Sequence, residues 1–331
     1  MLVWCLCTAS SPLYATSLFE DNKPLEFELT GPLSSLINNK DDREEQTFRL
    51  QSGALELDVK VRVRGNSRLR VCDFPPLRFN FKKGDTSGTL FEGQDKLKLV
   101  TRCKKADRYQ ADALEEYAAY QIFSLLSDAS FRTRLVHITY NDTDGRLADA
   151  YRKSYGFLIE PLDQLVSRMD GNLSELPAVS LRQLDKEQAA LVYVYQYLIA
   201  NTDWSFVAAE DDEYCCHNIE LVQVDNTHIP VPFDFDLAGL VNARYAHPDP
   251  SLNIRRVTKR LYRGFCTDTD TLRGALRHIV SKEDEILGVI ADLPNLDEKE
   301  KADRVTYLGG FFKKARDEEK MIAMFEKRCH P

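Results

Sequence analysis

From about Pro24 to Val100, apolar side chains recur at every second position. Leu55, Leu57, Val59, Val61 and Val63 alternate with Glu56, Asp58, Lys60, Arg62 and Arg64, which turns one face of an extended strand to a core and the other to water. The runs from Leu77 to Phe81 and from Lys96 to Val100 repeat the alternation, and Gly65-Asn66, Pro75-Pro76 and Lys83-Gly84-Asp85 break them as turns. At Asp107 the period changes: Leu114, Ala118, Ile122, Leu125 and Leu126 fall on one face of a helix of about five turns. Leu135 to Tyr140 and Tyr155 to Glu160, joined through Asn141 to Gly145, then read as a hairpin. A long helix from about Gln183 to Ala200 follows, with Ala190, Val194, Tyr197 and Leu198 on one face. Two short strands come next, Ile219 to Val224 and Ile229 to Val231, and the remainder from about Ser251 is mostly helical. The pattern predicts an α+β chain with a small antiparallel β-rich N-lobe over residues 16–130 and a larger, mainly helical C-lobe with the hairpin over residues 131–331.

Apolar residues make up 43% of the 331 and charged residues 29%, which excludes disordered and fibrous classes. A net charge of −8 argues against a chain built to hold a nucleic-acid backbone, while leaving room for a local basic patch that binds phosphate. Residues 1–18 carry no formal charge, and Leu2 to Cys7 followed by Ser10 to Ala15 resemble the end of a secretory signal over residues 1–15, although no basic stretch precedes it. No other stretch approaches the roughly 20 apolar residues of a membrane span, so an exported protein without a transmembrane segment is expected. Beyond that leader the cysteines are Cys72, Cys103, Cys215, Cys216, Cys266 and Cys329, an even set that in an exported protein favours disulfides. Cys72 with Cys103 is the expected pair, since each lies at a strand edge of the same lobe. Zinc binding lacks the paired CxxC spacing, and His137, His228, His247 and His278 are scattered without ligand spacing.

The candidate chemistry lies in three short motifs, each behind an apolar stretch: Asn201-Thr202-Asp203-Trp204, His217-Asn218 and Pro232-Phe233-Asp234-Phe235-Asp236. The order Asp, Asn, Asp is what metal-dependent phosphoryl transfer requires. One carboxylate accepts the proton of an attacking hydroxyl, while an amide oxygen and a second carboxylate hold Mg²⁺ against the phosphates. If the backbone is extended, Asp234 and Asp236 point to one face. Taken singly, each residue also has a structural reading as a helix-end or turn residue that bonds its own backbone.

At these motifs the chain resembles the CotH-type atypical kinases, which are related to spore-coat protein kinases and more distantly to HipA-like kinases. The resemblance starts at Arg62-Val63-Arg64-Gly65-Asn66-Ser67 and Pro76-Leu77-Arg78-Phe79-Asn80-Phe81, and continues through the three motifs above. It implies a two-lobed protein-kinase-like fold that uses ATP with Mg²⁺ or Mn²⁺ to phosphorylate a hydroxyl, most plausibly on a protein. Asp203 then resembles the catalytic base and Asn218 a metal ligand. Asp234 is similar to the metal-binding aspartate of the kinase Asp-Phe-Gly motif, with Asp236 as a second ligand. The phosphate-facing cation would be Arg78 or Lys98, its helix partner Glu115 or Glu116, and Arg64 an alternative direct phosphate contact. Two departures stand out. No GxGxxG loop exists, although Gly65-Asn66-Ser67 can offer backbone amides, and the gap from Asp203 to Asn218 holds the acidic run Glu210 to Glu213, an insertion that has to fold out of the way. These departures leave open an exported pseudokinase that acts as a binding or structural protein, and, further off, a hydrolase with paired carboxylates.

The remaining residues carry two readings each. Arg68, Arg70, Lys82, Lys83, Lys104 and Lys105 give the first lobe a basic surface, a solvated face or else a dock for phosphate or an acidic substrate, and His217 orients Asn218 or its loop or else acts as a general base. Arg255, Arg256, Lys259, Arg260 and Arg263 make either a solvated face or a substrate-binding ridge.

Overall fold

The computed structural model describes residues 17–21, 23–207 and 214–331. The expected leader (residues 1–15) and the acidic run Glu210 to Glu213 lie outside the described residues.

The β-rich part is a closed barrel, which corrects the expectation of a small, open antiparallel lobe in a two-lobed kinase fold. Its strands are β1 (Leu25–Gly31), β2 (Gln46–Ser52), β3 (Leu55–Val63), β4 (Leu77–Phe81), β5 (Lys96–Val100), β6 (Thr133–Asp142) and β7 (Lys153–Ile159), arranged in the order β1-β2-β3-β4-β5-β7-β6. Closure comes from β1 lying parallel to β6, in register from Leu25 opposite Val136 to Gly31 opposite Asp142. The strands expected as a separate hairpin, β6 and β7, complete the barrel wall, with β7 pairing on β5. The alternation read from the sequence supplies the filling: Leu57, Val59, Val61 and Val63 point inward with Leu77, Phe79, Phe81, Leu97 and Leu99, and all are buried. Closing the sheet leaves no unpaired edge.

The other face of one wall is also apolar. Val100, Leu135, Phe157 and Ile159 point out of the barrel into a second core, shared with the helical half. Four short helices decorate the barrel region, α1 (Leu33–Asn38), α2 (Ser67–Val71), α4 (Asp149–Arg152) and α5 (Leu162–Arg168), while the long α3 (Arg108–Leu126) packs on β7. Behind α3 stand α6 (Lys186–Ile199), α7 (Thr269–Ser281), α8 (Glu283–Ala291), α9 (Glu298–Ala315) and α10 (Glu318–Arg328). A small sheet of β8 (Asn172–Leu173), β9 (Ile219–Val224) and β10 (Thr227–Pro232) completes the fold.

Because α3 is sandwiched, it is buried almost all round, and its charged residues must find partners inside the protein. Cys72 and Cys103 are joined, as expected, tying the end of α2 to the chain after β5, and Cys215 pairs with Cys216 and Cys266 with Cys329. Loop closure over the 31-residue separation of Cys72 and Cys103 contributes about 3–4 kcal/mol against the unfolded chain. Disulfides of this kind fit an oxidising compartment. No helix among the described residues is long and apolar enough to cross a membrane.

Candidate functional site

Helix α6 stops abruptly at Ala200, whose φ of 53° is left-handed, and the next residues form a tightly held loop. The Asn201 side-chain oxygen accepts the Asp203 N–H at 3.0 Å, and Trp204 Nε1 donates to the Asn201 carbonyl at 3.2 Å. Arg263 donates to the carbonyls of Thr202 and Trp204, so the loop is fastened from both sides. Asp203 emerges from it with 38% of its side chain exposed.

The second motif grips that carboxylate. Asn218 Nδ2 donates to Asp203 Oδ2 at 2.9 Å and to the Asp203 carbonyl at 2.7 Å, and His217 Nε2 lies 3.1 Å from Asp203 Oδ1. Asn218 takes a φ of 53° to do so, a conformation asparagine tolerates better than most residues. Its carbonyl accepts the Phe233 N–H at 3.1 Å, which places the third motif one hydrogen bond away.

Asp234 also has a left-handed φ, 56°, and its N–H donates to the Tyr120 hydroxyl of α3 at 2.8 Å. Half of its side chain faces a cleft between barrel and helices, lined by Arg64, Gly65, Arg68, Lys98, Glu116 and Tyr120 among others, with about 580 Å³ of empty space including its open mouth. Although the mouth is open, the surrounding walls withdraw water from the carboxyl, and with the nearby Asp236 they push its pKa up to about 6, against Arg68 and Arg64. The charge of Asp203 raises it further, so the two carboxylates feel one another.

Arg68, expected on a solvated face, is instead buried at the centre of this cluster. Its Nη2 meets Glu116 Oε2 at 2.6 Å, its Nε meets Asp236 Oδ2 at 2.8 Å, and Asp234 Oδ1 lies 3.7 Å away. Burial opposes its charge, but Asp236 and Glu116 outweigh that and hold its pKa well above the ordinary range. Burial likewise pushes the Glu116 carboxyl up to about 8, helped by Asp236 and Asp234 and opposed by Arg68. Asp236 is turned to Arg68 and to the Tyr245 hydroxyl, which donates to it at 3.1 Å, rather than standing free beside Asp234.

The cations named from the sequence divide. Arg64 and Lys98 both line the cleft, and neither makes a side-chain hydrogen bond or ion pair with a described residue. Burial lowers the pKa of each, and the charge of Arg64 lowers Lys98 further. Arg78 lies opposite Lys98 on the neighbouring strand but leans to Glu45, 3.9 Å away. Of the two glutamates, Glu116 faces the cleft, whereas Glu115 faces the opposite side of α3 and pairs with Arg108 and Arg304. Adjacent helical residues point about 100° apart, so only one of them can face the cleft.

Among the described residues no group of three or more His, Cys, Asp and Glu side chains is placed to hold a metal ion. Mg²⁺ needs fewer, since it commonly takes one or two carboxylates and completes its shell with water and phosphate oxygens. The hard oxygens of Asp234, next to the Phe233 that bonds the Asn218 backbone and within reach of the Asp203 charge, are of the type that requirement calls for; they do not fit a zinc site.

Arg263, one of the cations read as a solvated face or a substrate-binding ridge, instead holds the Asp203 loop, while Tyr120 and the central place of Arg68 are barely legible in the sequence. The signal for Arg68 is faint: it stands just beyond the Gly65-Asn66-Ser67 turn, in the first turn of α2. Tyr120 stands one turn after Glu116 on α3, a spacing that puts both on one face.

The cluster carries a prediction for stability. A carboxyl whose pKa is raised on folding holds its proton more tightly in the folded chain, so its contribution is complete below the ordinary carboxylate range and is lost as pH climbs through the folded value. For Asp234 and Glu116 the loss is therefore expected as pH rises through about 6 and about 8. Urea midpoints should be lower near pH ~9 than near pH ~5, with a shallower slope in Glu116→Gln; a midpoint that is flat or rises would contradict the assignment.

No protein-family model matches the chain, and no curated protein matches it. Among solved structures it is similar to the Helicobacter pylori proinflammatory kinase CtkA at a TM-score of 0.37 and 13% identity, over 86% of this chain and 90% of that one. A likeness that distant carries no argument about this chain.

Proposed function

We propose that the cleft binds the phosphates of a nucleotide and that the protein transfers a phosphoryl group to a hydroxyl, the chemistry implied by the CotH-type resemblance. The observation that carries this reading is the pair of cations, Arg64 and Lys98, that line the same cleft as the half-exposed Asp234 and feel its charge without an ion-pair contact among the described residues. Two half-buried cations that repel one another and make no contact with a described carboxylate gain from an anion between them, and a phosphate supplies several charge-assisted acceptors at once. Arg68 is already in contact with Asp236 at 2.8 Å and Glu116 at 2.6 Å, so its part is to fix those side chains.

Mg²⁺, when bound, neutralises charge between the phosphates and would be held by Asp234 and Asn218. Asp203, gripped by Asn218 and His217 and partly open to solvent, is placed to accept the proton of the acceptor hydroxyl. Gly65 and Asn66 at the cleft wall offer backbone to an approaching phosphate. The disulfides among the described residues go with a protein exported from the cytoplasm, and a protein acceptor is the expected substrate.

The test is nucleotide binding in the presence of Mg²⁺ or Mn²⁺, read as a thermal shift, together with transfer of labelled phosphate from ATP. Asp234→Asn keeps the left-handed backbone that alanine resists and removes one anionic ligand. It should abolish the metal-dependent part of the shift while leaving the melting temperature without nucleotide close to that of the parent. A shift that is the same with and without metal, or unchanged in the variant, would remove Asp234 from the site. A shift without any phosphate transfer would favour the second reading, a nucleotide-binding protein without turnover, which the lack of a GxGxxG loop also favours.

A further inference from the structure

The cations that recur after the site are divided in two by the fold. Arg260 turns inward, donating from Nε to the Leu198 carbonyl at 2.9 Å and from Nη2 to the Tyr307 carbonyl at 2.7 Å, with its guanidinium 4.2 Å from the centre of the Tyr307 ring. Arg263 turns inward to the Thr202 and Trp204 carbonyls, on either side of Asp203. Between them and the site the chain is wedged in place. Val257 is buried, the Tyr307 hydroxyl donates to the Thr258 carbonyl at 3.0 Å, and a Cβ added at Gly239 would sit 2.5 Å from the Val257 carbonyl and 2.9 Å from Ala200. Only glycine lets this segment approach the end of α6, from which the Asp203 loop departs.

Arg255, Arg256 and Lys259 turn the other way. All three are exposed, and none makes a side-chain hydrogen bond or ion pair with a described residue. With Asn253 and Thr258 they line a polar hollow with about 760 Å³ of empty space, open to solvent. On a chain of net charge −8, three unpaired cations around one concavity are a local reversal of sign. Their mutual repulsion is a cost that an anionic partner removes, and the rigid base spares the entropy of ordering the loop on binding.

We propose that this hollow docks an acidic stretch of the protein that accepts the phosphoryl group, so that an aspartate- or glutamate-rich segment beside the acceptor hydroxyl is seated next to Asp203. The proposal rests on the phosphoryl-transfer reading for its substrate assignment. The geometry that carries it is separate: Arg263 and Gly239 couple the basic segment to the Asp203 loop, and the outward cations supply the charge complementarity.

The probe is a fluorescein-labelled peptide that alternates glutamate, aspartate and serine, titrated by anisotropy against the full chain, beside a control peptide with glutamine and asparagine in place of the acids. The acidic peptide should bind and weaken with added salt, and the control should not bind. The triple variant Arg255→Glu, Arg256→Glu, Lys259→Glu should bind it on the order of tenfold more weakly. A milder triple glutamine variant should fall between, and melting curves confirm that both remain folded. Equal binding by the triple variant, or equal binding of the control peptide, would overturn the docking surface. Heparin binding as tight as the peptide would mark a general polyanion surface and overturn the acceptor assignment. The nucleotide thermal shift on the same samples separates the two readings. A normal shift without peptide discrimination removes the docking surface alone. Peptide docking without any shift leaves a partner surface and removes the substrate assignment with the phosphoryl-transfer reading.

Discussion

Arg68→Ala is expected to destabilise the protein by about 3–5 kcal/mol, the cost of stranding buried charge when one partner of an ion pair is removed. Arg68 is only 9% exposed and holds Glu116 at 2.6 Å and Asp236 at 2.8 Å, each of which is itself buried. Without the guanidinium, the two buried carboxyls lie together beside the half-exposed Asp234 with no cation in contact. The chain must then take up protons or open. The penalty should therefore be largest at neutral and alkaline pH and shrink near pH ~5, where the carboxyls can be neutral. Arg68→Lys should recover only part of the loss, because an ammonium cannot present the planar fork that reaches both partners. Urea denaturation at the two pH values measures all of this. A loss below about 1 kcal/mol at neutral pH would mean that the cluster is held by something other than Arg68.

The residues that make this cluster also mark the limit of what the sequence declares. The alternation of β3, β4 and β5 is legible because the period of a strand is local, and the inward set it names, Val59, Val61, Leu77, Phe79 and Leu97, is the barrel filling. The closure is not legible. It depends on β1 lying beside β6, more than a hundred residues away, and no local pattern names a strand's distant partner. The wall of Val100, Phe157 and Ile159 faces a second core, so β6 and β7 read equally well as a free hairpin over a helical lobe.

The site divides in the same way. Asp203, Asn218 and Asp234 stand in short motifs, and the antiparallel β9–β10 ladder, continued by the Phe233 N–H on the Asn218 carbonyl, brings the last two together. Arg68 is hidden because its partners come from 48 and 168 positions away, and by itself it reads as one more surface arginine. Glu115 and Glu116 are indistinguishable until α3 is given neighbours on both sides. Arg304 on one side and Arg68 on the other then assign them.

On the proposed phosphoryl-transfer reading, Asp203→Asn is the change with the largest expected effect, a fall of about 10²–10⁴-fold in transfer, the usual contribution of a positioned general base. The substitution keeps the size of the side chain and the backbone bonds that hold the loop, among them the Asn201 side-chain oxygen on the residue 203 N–H and the Asn218 Nδ2 donor on its carbonyl. What it removes is the anionic oxygen to which the proposed mechanism gives the acceptor's proton, and with it one charged neighbour of His217. The side chain is 38% exposed and touches none of the Arg64, Lys98 and Arg68 cluster in the cleft, so nucleotide binding should persist and the melting temperature should change little. Initial rates of labelled phosphate transfer, read beside the nucleotide thermal shift, separate the two contributions. A fall in rate with the shift intact places Asp203 at the transferring end of the site. A rate equal to the parent's would leave Asn218 and His217 gripping a carboxylate whose role is only to shape the loop, and the hydroxyl's proton would have to go elsewhere.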